Sequence, residues 1–148
     1  MKQNPDYPEI LRPIDHLELA YQFLEAYKFG HNTRPPNFPR YFLACHSVEL
    51  VIKAFLLKRG MSENDKQFLK HDLVALLERA IGMGIVVDDE IKSEIAELND
   101  VHNNFWHRYP RTYAKPIILI HQFDKTIETL FEIIRNSFSY SPSTHHES

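Results

Sequence analysis

Residues Tyr41 to Leu57 leave this chain few ways to fold. Phe42, Cys45, Val48, Ile52, Phe55 and Leu56 recur at helical spacing, and Ala44, Leu50, Val51, Ala54 and Leu57 fill much of the remaining surface. A helix apolar nearly all round belongs in the middle of a bundle or at a subunit interface. Lys58, Arg59 and Gly60 end it, with cations near the negative end of the helix dipole and a glycine suited to a left-handed cap. Glu49 and Lys53 interrupt the apolar run. Four residues apart, they are neighbours on one helix face. On so apolar a helix the pair is expected to be partly buried, bonded within the helix or across a dimer interface, where ion pairs tend to serve specificity.

Four shorter helical patterns surround this one. Pro5, Pro8 and Pro13 make residues 1–14 an extended lead-in. From Asp15, the spacing of Leu17, Ala20, Tyr21 and Leu24 predicts a helix with Asp15 as N-cap, Glu18 three residues on and Gly30 as its stop. Pro35, Pro36 and Pro39 then mark a loop. His71-Asp72-Leu73 opens a third helix whose stripe is Leu73, Leu76, Leu77 and Ala80, closed by Gly82 and Gly84. Asp88 or Asp89 opens a fourth, with Ile91, Ile95 and Leu98 on one face. It runs to about Trp106 and must break before Pro110. Pro116 suits the first turn of a fifth, whose core face is Ile120, Phe123, Ile127, Leu130, Phe131 and Ile134. The expected architecture is all-α, an antiparallel bundle of about five helices in one domain over residues 15–136. The Ser/Pro/His-rich tail at 137–148 is expected to be disordered.

Several function classes drop out on composition. The 148 residues contain a single cysteine, which leaves no disulfide framework and no zinc site built on two thiolates. Four glycines and no GxGxxG or GxxxxGK[ST] argue against a glycine-rich phosphate loop and a nucleotide cofactor held that way. No apolar stretch approaches the roughly 18 residues of a membrane span, and residues 1–8 lack the apolar core of a signal peptide, so a cytoplasmic location is expected.

The net charge of −3 conceals segregation. Residues 26–48 contain no acid but carry Lys28, Arg34 and Arg40. Residues 101–123 contain none either and carry Arg108, Arg111 and Lys115. If the two segments meet, they form a local positive site for a phosphate-bearing ligand; otherwise they are loop cations with partners on other helices.

The densest polar and aromatic cluster is His102-Asn103-Asn104-Phe105-Trp106-His107-Arg108-Tyr109-Pro110. Asn103 and His107 are i,i+4 neighbours on a helix. His102 and His107 stand five apart, about 140° around the axis, which suits a shared metal ion poorly. No metal site is therefore expected. Phe105 and Trp106 fit a core or interface better than base stacking. His71 is most simply a helix-start residue bonding backbone, and Cys45 a small inert core residue.

Four segments together give the chain a resemblance. Ala44-Cys45-His46-Ser47-Val48-Glu49-Leu50-Val51-Ile52-Lys53-Ala54-Phe55-Leu56-Leu57 is similar to the A-x-E-x-x-x-K-A-x-L helix of HEPN-domain proteins, a superfamily of small α-helical domains, and Glu49 and Lys53 match its ExxxK pair. Lys70-His71-Asp72-Leu73-Val74-Ala75-Leu76-Leu77 resembles that family's H-x-L-x-x-L helix start. His107-Arg108-Tyr109-Pro110 resembles its RYP ending. His102-Asn103 with His107 falls in the frame of its R-N-x-x-x-H motif, with His102 where the family has Arg.

The resemblance spans roughly residues 15–135. It implies a homodimer, no cofactor, and a partner protein such as a nucleotidyltransferase-type antitoxin. It also implies metal-independent RNA chemistry where the motif is intact. His107 would then be the general acid/base, with His102 and Asn103 beside it. Arg108, Tyr109, Arg111, Lys53 and Glu49 would form the phosphate- or RNA-facing set. Because His102 lacks the bidentate fork of Arg, the expected function is nucleotide or RNA binding with weak or no nuclease activity. The alternatives are an active endoribonuclease using His107 with His102 and Arg108, and a purely structural dimerisation module.

Overall fold

In the computed structural model, residues 12–29, 38–65, 70–107 and 120–139 are described. Among them are five α-helices and no strand: α1 (Pro13–Phe29), α2 (Phe38–Lys58), α3 (Leu73–Gly82), α4 (Asp89–His107) and α5 (Asp124–Ser139), the last entered through a 3-10 turn at Ile120–Phe123. The apolar helix takes the place its sequence demands. α2 packs against α1, α3, α4 and α5 alike. Ala44, Cys45, Val48, Val51, Ile52, Ala54 and Leu56 on it are fully buried. No described helix is long and apolar enough to cross a membrane.

Contacts along the helices fix their directions. Arg40 meets Tyr27 and His46 meets Phe23, so α1 runs against α2. Cys45 meets Leu98 and Glu49 meets His102, so α4 runs with α2. Tyr27 donates to Asp124 and the Tyr21 ring meets Phe131, so α5 runs against α1 and with α2. The bundle is thus not antiparallel throughout, as chain-order neighbours alone suggested. Helices adjacent in space need not be adjacent in sequence.

The helix ends follow local chemistry, with two shifts from expectation. α1 begins at Pro13, not Asp15, because proline is suited to the first helical position. Asp15 then stands three residues past Arg12 and accepts from the Arg12 backbone N–H at 3.0 Å, the reach-back half of a capping box. α5 begins at Asp124, well after Pro116, and its helical hydrogen bonding continues through Ser139, beyond the expected boundary at 136. Ser137 donates to the Ile134 carbonyl, which occupies that side chain locally. The expected core face of α5 is present in Phe123, Ile127, Leu130, Phe131 and Ile134, all buried.

α2 closes as predicted at Gly60. Its φ of +99° lets Met61 N–H reach the Leu56 carbonyl while Gly60 N–H reaches Leu57, a Schellman cap. The expected stripe of α3 is likewise buried at Leu73, Leu76, Leu77 and Ala80.

Candidate functional site: a buried carboxylate with four basic partners

Glu49 lies mid-way along α2, on the side that faces α4 and the entry to α3. It is 1% exposed. A lone carboxylate there would be untenable, since burying an unpaired charge costs far more than any helix packing returns. The surrounding elements deliver its partners. Lys53, one turn on, places Nζ 2.7 Å from Oε2. α4 supplies His102, whose Nε2 is 2.7 Å from Oε1. The segment entering α3 supplies His71, whose Nδ1 is 3.0 Å from Oε2 and 3.2 Å from Oε1. His46, on the preceding turn of α2, stacks on Phe42 and meets the edge of Phe23, with Nδ1 4.0 Å from Oε1.

A second polar contact sets His71 in place. Asp72 caps α3 by accepting from Ala75 N–H at 3.0 Å. Asn99 of α4 accepts from Leu73 N–H at 2.7 Å and donates to Asp72 at 3.0 Å. The start of α3 is therefore pinned to α4, and the residue before the cap is held over α2. Asn99 and His102 are three apart, so one face of α4 carries both the clamp and the carboxylate's partner. Removing the clamp by Asn99→Ala leaves the Leu73 N–H buried and unsatisfied. The expected cost is about 1–3 kcal/mol in urea unfolding, and a loss below about 0.5 kcal/mol would show the clamp to be dispensable.

The electrostatics follow from this geometry. Burial pushes the Glu49 carboxyl up, but the His102 hydrogen bond and the Lys53 charge outweigh it and hold the group down at about 2. An ionised carboxylate can only accept, so His102 Nε2 and His71 Nδ1 each carry a proton where they bond to it. Burial pushes His46 down, toward its neutral form. Cys45 beside this cluster is fully buried, and burial pushes its thiol well up, which fits the inert core residue expected of it.

Of the residues singled out in the sequence, Glu49, Lys53 and His102 are brought together. The Glu49–Lys53 pair is bonded within its own helix. Lys53 is buried and bonded to Glu49, and His102 is fully buried against the same carboxylate. Asn103 and His107 lie on the last turns of α4, but their side chains, with Arg108, Tyr109 and Arg111, fall outside the described residues.

The acid-free segment 26–48 does not present its described cations as an open patch. Arg40 is buried over the Tyr27 ring and bonds the Tyr27 carbonyl, and Lys28 reaches Glu128 at 3.6 Å. His71 stands at the start of α3 as expected, and its bond to Glu49 is the contact that the sequence did not show. It bonds a carboxylate 22 residues away, and Asp72 is the cap. The signal was present in Glu49 itself, an acid on an apolar helix that required more than one donor. No family model, curated protein or solved structure matches the chain.

Proposed function

We propose that this protein is a HEPN-like nucleotide- or RNA-binding module with weak or no nuclease activity, acting in the cytoplasm as a homodimer with a partner of nucleotidyltransferase-antitoxin type. The observation that carries the reading is the burial of His102 against Glu49. Nuclease chemistry of this kind needs a cation facing the scissile phosphate, in addition to a general acid/base. The residue in the motif's cation position here faces inward, to a carboxylate. The ligand is assigned to the acid-free run that begins in the last turns of α4, with His107, Arg108, Tyr109 and Arg111. Two guanidinium groups and a phenol suit a phosphate and a base better than they suit proton transfer.

The test pairs cleavage with binding. Purified protein in EDTA is expected to leave RNA intact, as is His107→Ala. A fluorescein-labelled oligoribonucleotide is expected to bind with an affinity that falls as salt rises. Arg108→Ala with Arg111→Ala should reduce the salt slope by about one for each phosphate that is no longer neutralised. Cleavage that survives EDTA and disappears in His107→Ala would replace this reading with the active endoribonuclease. A dimer that binds no oligonucleotide or nucleotide would replace it with a structural dimerisation module.

A further inference from the structure

Both oxygens of Glu49 are engaged. Oε2 is met by Lys53 at 2.7 Å and by His71 Nδ1 at 3.0 Å. Oε1 is ringed by imidazole nitrogens, with His102 Nε2 at 2.7 Å, His71 Nδ1 at 3.2 Å and His46 Nδ1 at 4.0 Å. The His46 nitrogen is itself buried and has no hydrogen-bond partner among the described residues. A buried orphan of this kind is destabilising unless something else satisfies it. The donor atoms of Glu49, His71 and His102 all lie within 4.8 Å of one another.

We propose that Glu49 Oε1, His71, His102 and His46 form a binding site for a divalent transition-metal ion of the zinc class. Around a tetrahedral zinc ion with bonds of about 2.0–2.1 Å, nitrogen and oxygen ligands stand about 3.3–3.4 Å apart. The donor atoms of Glu49, His71 and His102 are already gathered near that spacing, and His46 Nδ1, 4.0 Å from Oε1, is the fourth ligand that would move in to complete the shell. Three imidazoles and one carboxylate oxygen favour zinc, cobalt or nickel over magnesium or calcium, which take oxygen shells. Lys53 stays on Oε2 and holds the carboxylate to one-oxygen ligation, as outer-shell partners of metal ligands do. The partly exposed His71 gives the ion a way in.

The ligands come from α2, from α4 and from the segment entering α3. A search for two histidines on one helix passes over such a site, and bound metal would staple the three elements together.

The full chain, stripped with EDTA and exchanged into buffer at pH 7.5, is titrated with cobalt(II) and zinc(II). One ion per chain is expected, with the intense visible bands of tetrahedral cobalt and a higher unfolding temperature with zinc. His71→Ala alters a partly exposed side chain, and His46→Phe keeps a ring between Phe23 and Phe42. Both are expected to fold with unchanged circular dichroism and to weaken binding by at least about 10-fold. Failure of the wild-type chain to take up one ion overturns the proposal. So does uptake that both variants leave unchanged, which would place the ion elsewhere, for example on the His145-His146 pair of the tail.

Discussion

Glu49→Ala is expected to cost about 3–5 kcal/mol of stability in metal-free protein, among the largest effects of any single substitution in this chain. The loss has little to do with the worth of the Glu49–Lys53 bond itself. Removing the carboxylate leaves the Lys53 ammonium on a nearly closed face of α2 and takes from His102, fully buried, the acceptor it holds. The cost is therefore that of donors deprived of their carboxylate acceptor. With an m-value of about 1–3 kcal/mol per M, the urea midpoint should fall by at least about 1 M. The double variant Glu49→Leu with Lys53→Met tests the cause. It removes the charge together with its partner and fills the space with apolar atoms, so it should be much milder than Glu49→Ala alone. A double variant as unstable as the single one would mean that His102 and His71, not Lys53, dominate the need for the carboxylate. A midpoint for Glu49→Ala within about 0.3 M of the wild type would show that the cluster does not hold the bundle together.

The central place of Glu49 divides what the sequence could reveal from what it could not. That α2 is buried follows from its composition alone, since apolar side chains spread so fully around a helix must be covered by a bundle or by a subunit interface. The cap at Gly60 follows from chemistry that acts over three or four residues. Glu49 and Lys53 are visible as intruders for the same reason. Their other partners are not. His71 and His102 stand 22 and 53 residues away, and which histidines reach Glu49 depends on α4 running with α2. No local pattern encodes that direction.

Arg40 shows the same limit from the other side. In sequence it belongs to an acid-free run that suggests a phosphate; in the fold its guanidinium is spent on the Tyr27 ring and carbonyl at the end of α1. A cation in a basic stretch is free for a ligand only if no carbonyl or aromatic face of its own chain lies nearer.

In EDTA, stability is expected to be greatest near neutral pH and to fall in two stages on acidification. The first stage belongs to His16 and His46. Burial lowers both below the ordinary histidine value of 6.5, so the unfolded chain binds their protons first. Stability therefore declines as pH falls from about 6.5 through their folded-state values. The second stage belongs to Glu49, held at about 2 in the fold against an ordinary 4.5. Its contribution is fully present above about 4.5 and is lost as pH drops toward 2. A difference of that size corresponds to about 3 kcal/mol, most of it gone before the carboxylate is half protonated in the native state. Urea unfolding at pH 7.5, 5.5, 4.5 and 3 separates the stages. His16→Gln with His46→Gln should flatten the first and leave the second. The second stage turns on one proton, so its slope cannot exceed about 1.4 kcal/mol per pH unit. A wild-type chain that loses less than about 1 kcal/mol between pH 4.5 and 3 would mean that Glu49 is not held as an ion by His102, Lys53 and His71.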